Sequence, residues 1–281
     1  MKYTIQNNFF RLSALTKGAE LTGFESKKDD YEYIWQKCDV WQGQSPLLFP
    51  VVGKLKNDEL KVNGEVYAMP KHGFAKGSEF ALESIGSSFM TFVLKDSEET
   101  RRIYPFRFEL RVTYRLTPNG FIMHYDVKNT DGKEMYFSLG AHPAFNIALG
   151  DKVVMDKNET VQAWRLGENM VIKPEKTEVF AGGSSFEVTK DVFKADALIF
   201  EGLASSGTTV KKADGRNVHV HFGSAPCVGM WAKPAASYVC IEPWYGLDDK
   251  WNAEGTFENK PHVQKLAPGK EFVFDVAVEV E

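Results

Sequence analysis

The sequence predicts an all-β fold of antiparallel sheets with very little helix. Short runs that alternate apolar and polar residues recur along the chain, and polar turns containing Gly or Pro separate them. The residue spacing of amphipathic helices is nearly absent, and only short pieces such as 191–194 could form a turn of helix. Many short strands joined by polar turns indicate a β-sandwich or a β-barrel.

The clearest local prediction is a β-hairpin. Residues 108–116 alternate apolar and polar side chains, residues 117–120 read Thr-Pro-Asn-Gly, and residues 121–129 form a second strand-like run. Pro, Asn and Gly are residues that tight turns prefer. Two earlier runs, 65–69 and 89–95, also predict strands.

The rest of the chain continues this pattern. Strand-like runs are predicted at 135–139, 218–222, 238–242 and 272–280, and the last of them alternates strictly. The run 238–242 is expected to end at Pro243, because proline removes a backbone donor from a sheet.

Length and composition favour a single β domain over residues 1–281. A chain of 281 residues has room for two domains, but no linker rich in Pro, Gly or Ser divides it. The Gly-Gly-Ser-Ser loop at 182–185 is too short to separate domains, and no repeat of ~20–50 residues indicates a propeller.

Charge and hydrophobic patterning exclude several classes of partner. The 34 Lys and Arg residues and 38 Asp and Glu residues give a formal net charge of −4, so the chain lacks an electrostatic footprint for nucleic acid or an anionic membrane. No apolar run reaches the ~18 residues of a membrane span, and residues 1–8 show no signal-peptide pattern. We therefore expect a cytoplasmic protein, monomeric or homodimeric, with no nucleic-acid or membrane partner.

The cysteines and paired histidines do not predict a metal site. Cys38, Cys227 and Cys240 are odd in number and include no Cys-x-x-Cys pair, which argues against a disulfide framework or structural zinc. His219 and His221 lie on one face of a predicted strand, but no Asp, Glu or Cys stands at a short spacing to complete a ligand set.

The most informative segment is 140–146, Gly-Ala-His-Pro-Ala-Phe-Asn. Pro143 stiffens the backbone and pushes His142 towards an extended conformation at the end of a strand. The small residues Gly140 and Ala141 leave space beside the imidazole. A histidine held in this way suits acid–base chemistry near neutral pH, whereas a structural histidine in its place would bond a backbone carbonyl.

Glu242 closes the predicted strand 238–242 and is followed by a Pro-Trp-Tyr run. If Val239 and Ile241 face one side of this strand, Cys240 and Glu242 face the other. The aromatic neighbours favour a partly apolar pocket, and burial raises the pKa of a carboxyl towards the range useful for a general base. The alternative is a solvated glutamate at a strand end.

Other residues are candidates for contact with a ligand. His72 precedes Gly73, which allows a sharp turn or the close approach of a ligand, and Lys54 follows an apolar run and a glycine. Ordinary roles, an exposed turn histidine and a solvated lysine, stay open for both. Indole faces beside loops suit the C–H faces of sugar rings, although most of these residues will only pack: Trp35, Trp41, Trp231, Trp244 and Trp251.

Five segments carry a resemblance to a known family. They are 48–55, 71–74, 140–146, 196–200 and 241–247, and they span most of the chain. In these segments the sequence resembles the aldose 1-epimerase (galactose mutarotase-like) family and looks closest to its LacX-type branch. The third and fifth segments are specific, whereas the other three would be weak alone.

The resemblance implies a β-supersandwich with one sugar site and no metal or organic cofactor. It implies that His142 is the general acid at the ring oxygen of a hexose and that Glu242 is the general base at the anomeric hydroxyl. It further implies substrate contacts, with His72 at the ring oxygen and Asp196 at hydroxyl groups. Lys54, Asn146 and Trp244 lie in the matching segments and are also predicted to bind substrate.

One departure leaves the substrate open. The family often has arginine where this chain has Lys54, and lysine offers a point charge instead of a planar set of donors. A hexose-6-phosphate 1-epimerase is therefore an alternative, since Lys54, Lys56 and Lys71 could meet a phosphate. A non-catalytic carbohydrate-binding protein of the same fold is a third reading, because fold alone does not establish turnover.

Overall fold

Strands account for nearly all regular structure, which confirms the predicted all-β class. The computed structural model describes residues 1–281 and contains one short α-helix, α1 (Glu98–Arg101). Four 3-10 turns lie at Lys56–Asp58, Ala75–Gly77, Glu168–Met170 and Phe257–Asn259. The strands are β1 (Lys2–Gln6), β2 (Phe10–Leu15), β3 (Leu21–Ser26), β4 (Glu59–Val62), β5 (Glu65–Ala68), β6 (Ala81–Ile85), β7 (Phe89–Lys95), β8 (Phe108–Thr117), β9 (Gly120–Asn129), β10 (Met135–Phe137), β11 (Leu139–Gly140), β12 (Ala144–Asn146), β13 (Lys152–Leu166), β14 (Ile172–Glu187), β15 (Leu198–Glu201), β16 (Gly207–Lys211), β17 (Val218–His221), β18 (Cys227–Trp231), β19 (Tyr238–Tyr245), β20 (Gln264–Leu266) and β21 (Glu271–Val280).

Most strands belong to one antiparallel network of 14 strands. Its order is β11-β19-β18-β15-β13-β16-β17-β21-β9-β8-β7-β6, with β12 also paired to β19 and β14 to β13. Smaller sheets are β1-β2-β3, β4-β5 and β10-β20. The C-terminal strand β21 lies between β17 and β9, so it joins the early hairpins to the later strands.

The core forms where the β1-β2-β3 sheet packs on β7, β8 and β9. The ring centroid of Phe24 on β3 lies 4.7 Å from that of Phe121 on β9, and Tyr3 on β1 lies 6.1 Å from Phe92 on β7. Every second residue of β8 and β9 is buried, as the alternating sequence predicts. These contacts belong to a continuous cluster of 64 buried hydrophobic residues.

The predicted strand ends agree closely with the observed ones for the hairpin and less well near the end of the chain. β8 and β9 match the predicted hairpin to within one residue, and β7 matches 89–95. The prediction that β19 ends at Pro243 is wrong, because the strand continues to Tyr245. The backbone oxygen of Pro243 accepts from Ala141 N–H. The chain leaves the sheet beside it, between β11 and β12, so no neighbouring carbonyl requires the N–H that proline lacks.

The run predicted at 135–139 is divided between two sheets. β10 pairs with β20, whereas β11 pairs with β19. The change occurs at Ser138, whose N–H donates to the carbonyl of Pro50 instead of to a strand. This step carries the chain from the small sheet to the large network just before His142. No helix in the structure has the length and hydrophobicity needed to span a bilayer.

Removal of the Phe121 ring is expected to destabilise the protein by about 3–5 kcal/mol, the usual cost of replacing a buried phenylalanine by alanine. Phe121 is 1% exposed and packs against Phe24, whereas Phe9 is 55% exposed. Denaturant unfolding of Phe121→Ala, with Phe9→Ala as the matched control, measures the difference. Equal losses in the two variants would contradict the assigned core.

Candidate active site

His142 and Glu242 face each other because of strand register. In the pairing of β11 with β19, Gly140 lies opposite Trp244, and in the pairing of β12 with β19, Ala144 lies opposite Cys240. His142 lies midway between these two pairings, at the level of Glu242. The connection between β11 and β12 thus presents the imidazole to a carboxylate on the neighbouring strand.

The two side chains are in contact and almost wholly buried. His142 Nε2 lies 3.2 Å from Glu242 Oε2, and the two side chains are 9% and 2% exposed. Cys240 is on the same face of β19, and one donor atom from each of these three residues lies within 4.8 Å of the others. His142 Nδ1 and Glu242 Oε2 make no aligned hydrogen bond, and neither does the nearby Trp244 Nε1. Buried polar atoms without partners cost about 1–3 kcal/mol each, so a polar ligand that supplies partners is favoured here.

Burial disfavours the charged form of both members of the pair. Desolvation lowers the pKa of His142 to about 3 and raises the pKa of Glu242 well above its ordinary value. Both shifts favour the state in which the pair holds one proton and carries no net charge. That proton can lie on either side chain without a change in total charge, because a neutral pair and an ion pair differ only in its position.

The pair opens onto a cleft of about 920 Å³. Its walls include Trp41, whose ring centroid is 5.5 Å from the His142 ring, and Trp231, at 6.0 Å. The two indoles meet edge to face at 5.4 Å and give the cleft an apolar side. Carboxylates, imidazoles and ammonium groups also line it, and this mixture binds a small polar molecule with an apolar face.

His72 projects into the cleft from a turn with left-handed backbone, φ 66°. The N–H of Gly53 donates to His72 Nδ1 at 3.1 Å, and His72 N–H donates back to the carbonyl of Gly53 at 2.8 Å. Because Nδ1 accepts a hydrogen bond, the proton of the neutral ring is on Nε2. Burial lowers the pKa of His72 well below its ordinary value, so His72 is an uncharged donor. Its ring is perpendicular to that of His142, with centroids 5.9 Å apart.

Asp248 forms part of the cleft beside His72 and is 3% exposed. Its Oδ1 accepts the N–H of Lys54 at 2.7 Å. A Cβ on Gly53 would lie 2.2 Å from Asp248 Cγ, so glycine is required for this carboxylate to pack against the 53–54 turn. Burial raises the pKa of Asp248.

Two lysines, Lys71 and Lys76, line the cleft and form no ion pair with a carboxylate. Lys76 Nζ donates to the backbone carbonyl of Lys71 at 2.8 Å, which ties the two residues together. Burial raises the pKa of Glu242, and the Lys71 cation opposes that shift. The cleft thus combines a buried, neutral pair with a positive rim.

The structure brings most of the residues singled out in the sequence into this cleft. His142, Glu242, His72, Asp196 and Trp244 all line it. Asp196 has φ 63°, and its Oδ1 accepts the N–H of Ala197 at 2.7 Å, which fixes the turn before β15.

Lys54 and Asn146 lie elsewhere. Lys54 Nζ contacts Asp58 at 2.9 Å, outside the residues that line the cleft. The Asn146 amide donates to the carbonyls of Glu32 and Ile34 at 2.9 and 3.0 Å and so anchors the segment 32–34. Their predicted substrate contacts stay predictions, and these positions do not support them.

A second cleft, of about 910 Å³, shares only Asp248 with the first. Several of its charged groups are already engaged: Lys260 pairs with Asp249, and Lys56 Nζ donates to the carbonyl of Ala253 at 3.3 Å. The first cleft is therefore the candidate active site, since it contains the buried imidazole–carboxylate pair of His142 and Glu242.

Comparisons with known proteins identify the family of the chain. A model of the aldose 1-epimerase family matches residues 1–279. The chain belongs to the aldose 1-epimerase family. The family predicted from the sequence is thereby confirmed.

Individual relatives match between 64% and 100% of the chain. Protein LacX of Lactococcus lactis subsp. lactis is 29% identical over 286 residues, which cover 95% of each chain. A solved galactose mutarotase related enzyme from Lactobacillus acidophilus has a TM-score of 0.94 at 34% identity and covers 100% of this chain and 97% of its own. An Escherichia coli protein provisionally named a glucose-6-phosphate 1-epimerase is 24% identical over 189 residues, 64% of this chain and 62% of its own. The chain therefore has the galactose mutarotase-like fold that the resemblance implied.

A pH-dependent stability is expected from His72. Folded His72 stays unprotonated below pH ~6.5, the ordinary pKa of histidine, whereas unfolded His72 binds a proton there. The free energy of unfolding should therefore fall with decreasing pH, by at most ~1.4 kcal/mol per pH unit for this group. His72→Asn, which tolerates left-handed backbone, should show a shallower slope in denaturant titrations between about pH 6.5 and 5. Equal slopes in the two proteins would contradict a neutral His72.

Proposed function

We propose that this member of the family is an aldose 1-epimerase that interconverts the α and β anomers of a hexose. The observation that carries the proposal is the 3.2 Å contact of His142 Nε2 with Glu242 Oε2 at the cleft. Mutarotation needs two proton transfers, at the anomeric hydroxyl O1 and at the ring oxygen O5. One acid and one base within reach of a single sugar ring can perform both.

Ring opening uses the ion-pair form of the His142–Glu242 pair. The Glu242 carboxylate accepts the proton of O1 while the His142 imidazolium donates a proton to O5. The C1–O5 bond breaks, and C1 becomes an aldehyde carbon. Rotation about C1–C2 then presents the other face of the aldehyde to the O5 hydroxyl.

Ring closure uses the neutral form that the first step leaves behind. The protonated Glu242 returns its proton to the aldehyde oxygen, while the neutral His142 accepts the proton of the O5 hydroxyl. Burial favours this neutral form, because it penalises both charges. The pair therefore holds one proton on His142 before ring opening and one proton on Glu242 after it. Ring closure returns the pair to its starting state.

The cleft supports the binding of a pyranose ring next to the pair. Trp41 and Trp231 offer aromatic faces to the C–H groups of the sugar. His72 Nε2–H is a fixed neutral donor that can bond O5 and orient it towards His142. Asp196 and Asp248 supply acceptors for hydroxyl groups.

Loss of either member of the pair should lower the catalysed rate of anomer exchange by about 10²- to 10⁴-fold, the usual contribution of a positioned acid or base. The variants are His142→Asn and Glu242→Gln, and polarimetry or NMR exchange with α-glucose and α-galactose measures the rate. His221→Asn and Glu279→Gln are matched controls, since these two residues form an exposed His–Glu pair, 3.7 Å apart, on β17 and β21.

Two outcomes of that experiment would count against the proposal. A wild-type rate no faster than buffer with every sugar would favour a non-catalytic carbohydrate-binding protein. Activity that survives in both variants would remove the assigned roles of His142 and Glu242.

The unpaired lysines of the cleft favour a second candidate, a hexose-6-phosphate 1-epimerase. Lys71 and Lys76 carry two ammonium groups without carboxylate partners at the rim of the cleft. A phosphate group at the far end of a hexose would meet this charge while the anomeric end meets the pair. The relationship to the Escherichia coli protein points in the same direction.

Lys71→Met is expected to raise KM for glucose 6-phosphate by about 10- to 100-fold, because a hydrogen bond to a charged group contributes ~1.5–3 kcal/mol. KM for glucose should change little. Lys194→Met, which removes a 65% exposed ammonium group, is the control. Equal effects of Lys71→Met on both sugars would contradict a phosphate contact, and a selective effect of Lys54→Met would instead support the assignment made from the sequence.

A further inference from the structure

Cys240 is a buried nucleophilic group that the mutarotase mechanism does not use. It lies on β19 two residues before Glu242, is 0% exposed, and does not line the cleft. Its thiol shares a small volume with the acid–base pair, because the donor atoms of His142, Cys240 and Glu242 all lie within 4.8 Å of one another.

We propose that His142, Cys240 and Glu242 form a binding site for a zinc ion, which blocks the acid–base pair when it is occupied. The three donors are a nitrogen, a sulfur and an oxygen, the set that Zn²⁺ accepts and that Mg²⁺ and Ca²⁺ do not. Zinc sites with three protein ligands keep a fourth position for water or substrate, and two of the three ligands here, His142 and Glu242, line the cleft.

The separation of the histidine and carboxylate donors fits such a site, and the Cys240 donor lies within 4.8 Å of both. Ligand bonds of ~2.0–2.3 Å in a tetrahedral arrangement place neighbouring donors ~3.3–3.8 Å apart. His142 Nε2 and Glu242 Oε2 are already 3.2 Å apart. Glu242 Oε2 has no aligned hydrogen bond that a metal ion would have to break, and its side chain is 2% exposed.

Charge balance favours zinc in this buried position. A thiolate, a carboxylate and a neutral imidazole have a summed charge of −2, which a divalent cation neutralises. Binding of Zn²⁺, with release of the ligand protons, therefore leaves no net charge in the low-dielectric interior, where an unpaired charge would be costly.

Occupancy would remove both groups that the proposed mechanism needs. The zinc ion would use the His142 and Glu242 atoms that are to exchange protons with the sugar. This consequence rests on the proposed function, whereas the binding itself does not. Zinc would then be a reversible inhibitor that acts directly on the acid–base pair.

The test uses Co²⁺ as a spectroscopic probe for the zinc site in the purified full-length protein. Wild-type protein should bind one Co²⁺ with a thiolate-to-cobalt charge-transfer band, and Zn²⁺ should displace it. Cys240→Ser should lose the band and bind at least ~100-fold more weakly, since even outer partners of a metal ligand are worth 10–100-fold. Cys38→Ser is the matched control and should keep the band, because Cys38 is the exposed thiol.

Each outcome decides one of the two proposals. No band in the wild type, or a band that persists in Cys240→Ser, overturns the zinc site. Glu242→Gln provides a second variant of nearly unchanged volume, which should weaken Co²⁺ binding even if Cys240→Ser fails to fold. If the wild type catalyses anomer exchange but shows no band, the proposed activity stands and the metal site is overturned. If it shows the band but catalyses no anomer exchange, the metal site stands and the proposed activity is overturned. When both are present, one equivalent of Zn²⁺ should slow anomer exchange, and a chelator should restore it.

Discussion

The site depends on the pairing of the 140–146 segment with β19, which encloses an imidazole and a carboxylate in the same buried volume. Neither side chain would be stable there alone as a charged group, since burial penalises both ions. Together they can hold one proton and no net charge. The backbone around them is fixed by bonds on both sides, including Ala141 N–H to Pro243 O and Ile241 N–H to Pro143 O.

The sequence predicts those parts of the site and fold that local patterns specify. Alternation located β8 and β9 almost to the residue, because the two faces of these strands meet core and solvent. The apolar run of β7 also located that strand, although five successive residues of it are buried. His142 and Glu242 could be found because proline, small residues and aromatic residues lie next to them in the chain. Their mutual contact could not, because it follows from register between segments one hundred residues apart.

The remaining differences have tertiary causes. Trp41 was one of five loop tryptophans named from the sequence, and only the folded chain places its ring against His142. No local sequence pattern identifies Asp248 or Lys76 as residues of the cleft. Asp248 is held there by the turn at Gly53, and Lys76 by a hydrogen bond to the backbone of Lys71. Lys54 lies in a matching segment, yet Asp58 holds its ammonium group away from the cleft.

Two glycines determine where the cleft can change. A Cβ at Gly229 would lie 2.4 Å from the Trp244 ring, and one at Gly140 would lie 2.6 Å from it, so neither position can accept a larger residue without moving the indole. The two glycine positions in the wall around Glu242 therefore do not tolerate larger side chains. Substitutions are more easily accommodated in the loops that carry Trp41 and Lys71, whose side chains reach the cleft without being enclosed by the sheet. The fold thus separates a rigid wall of the cleft from a wall that tolerates changes in side-chain size.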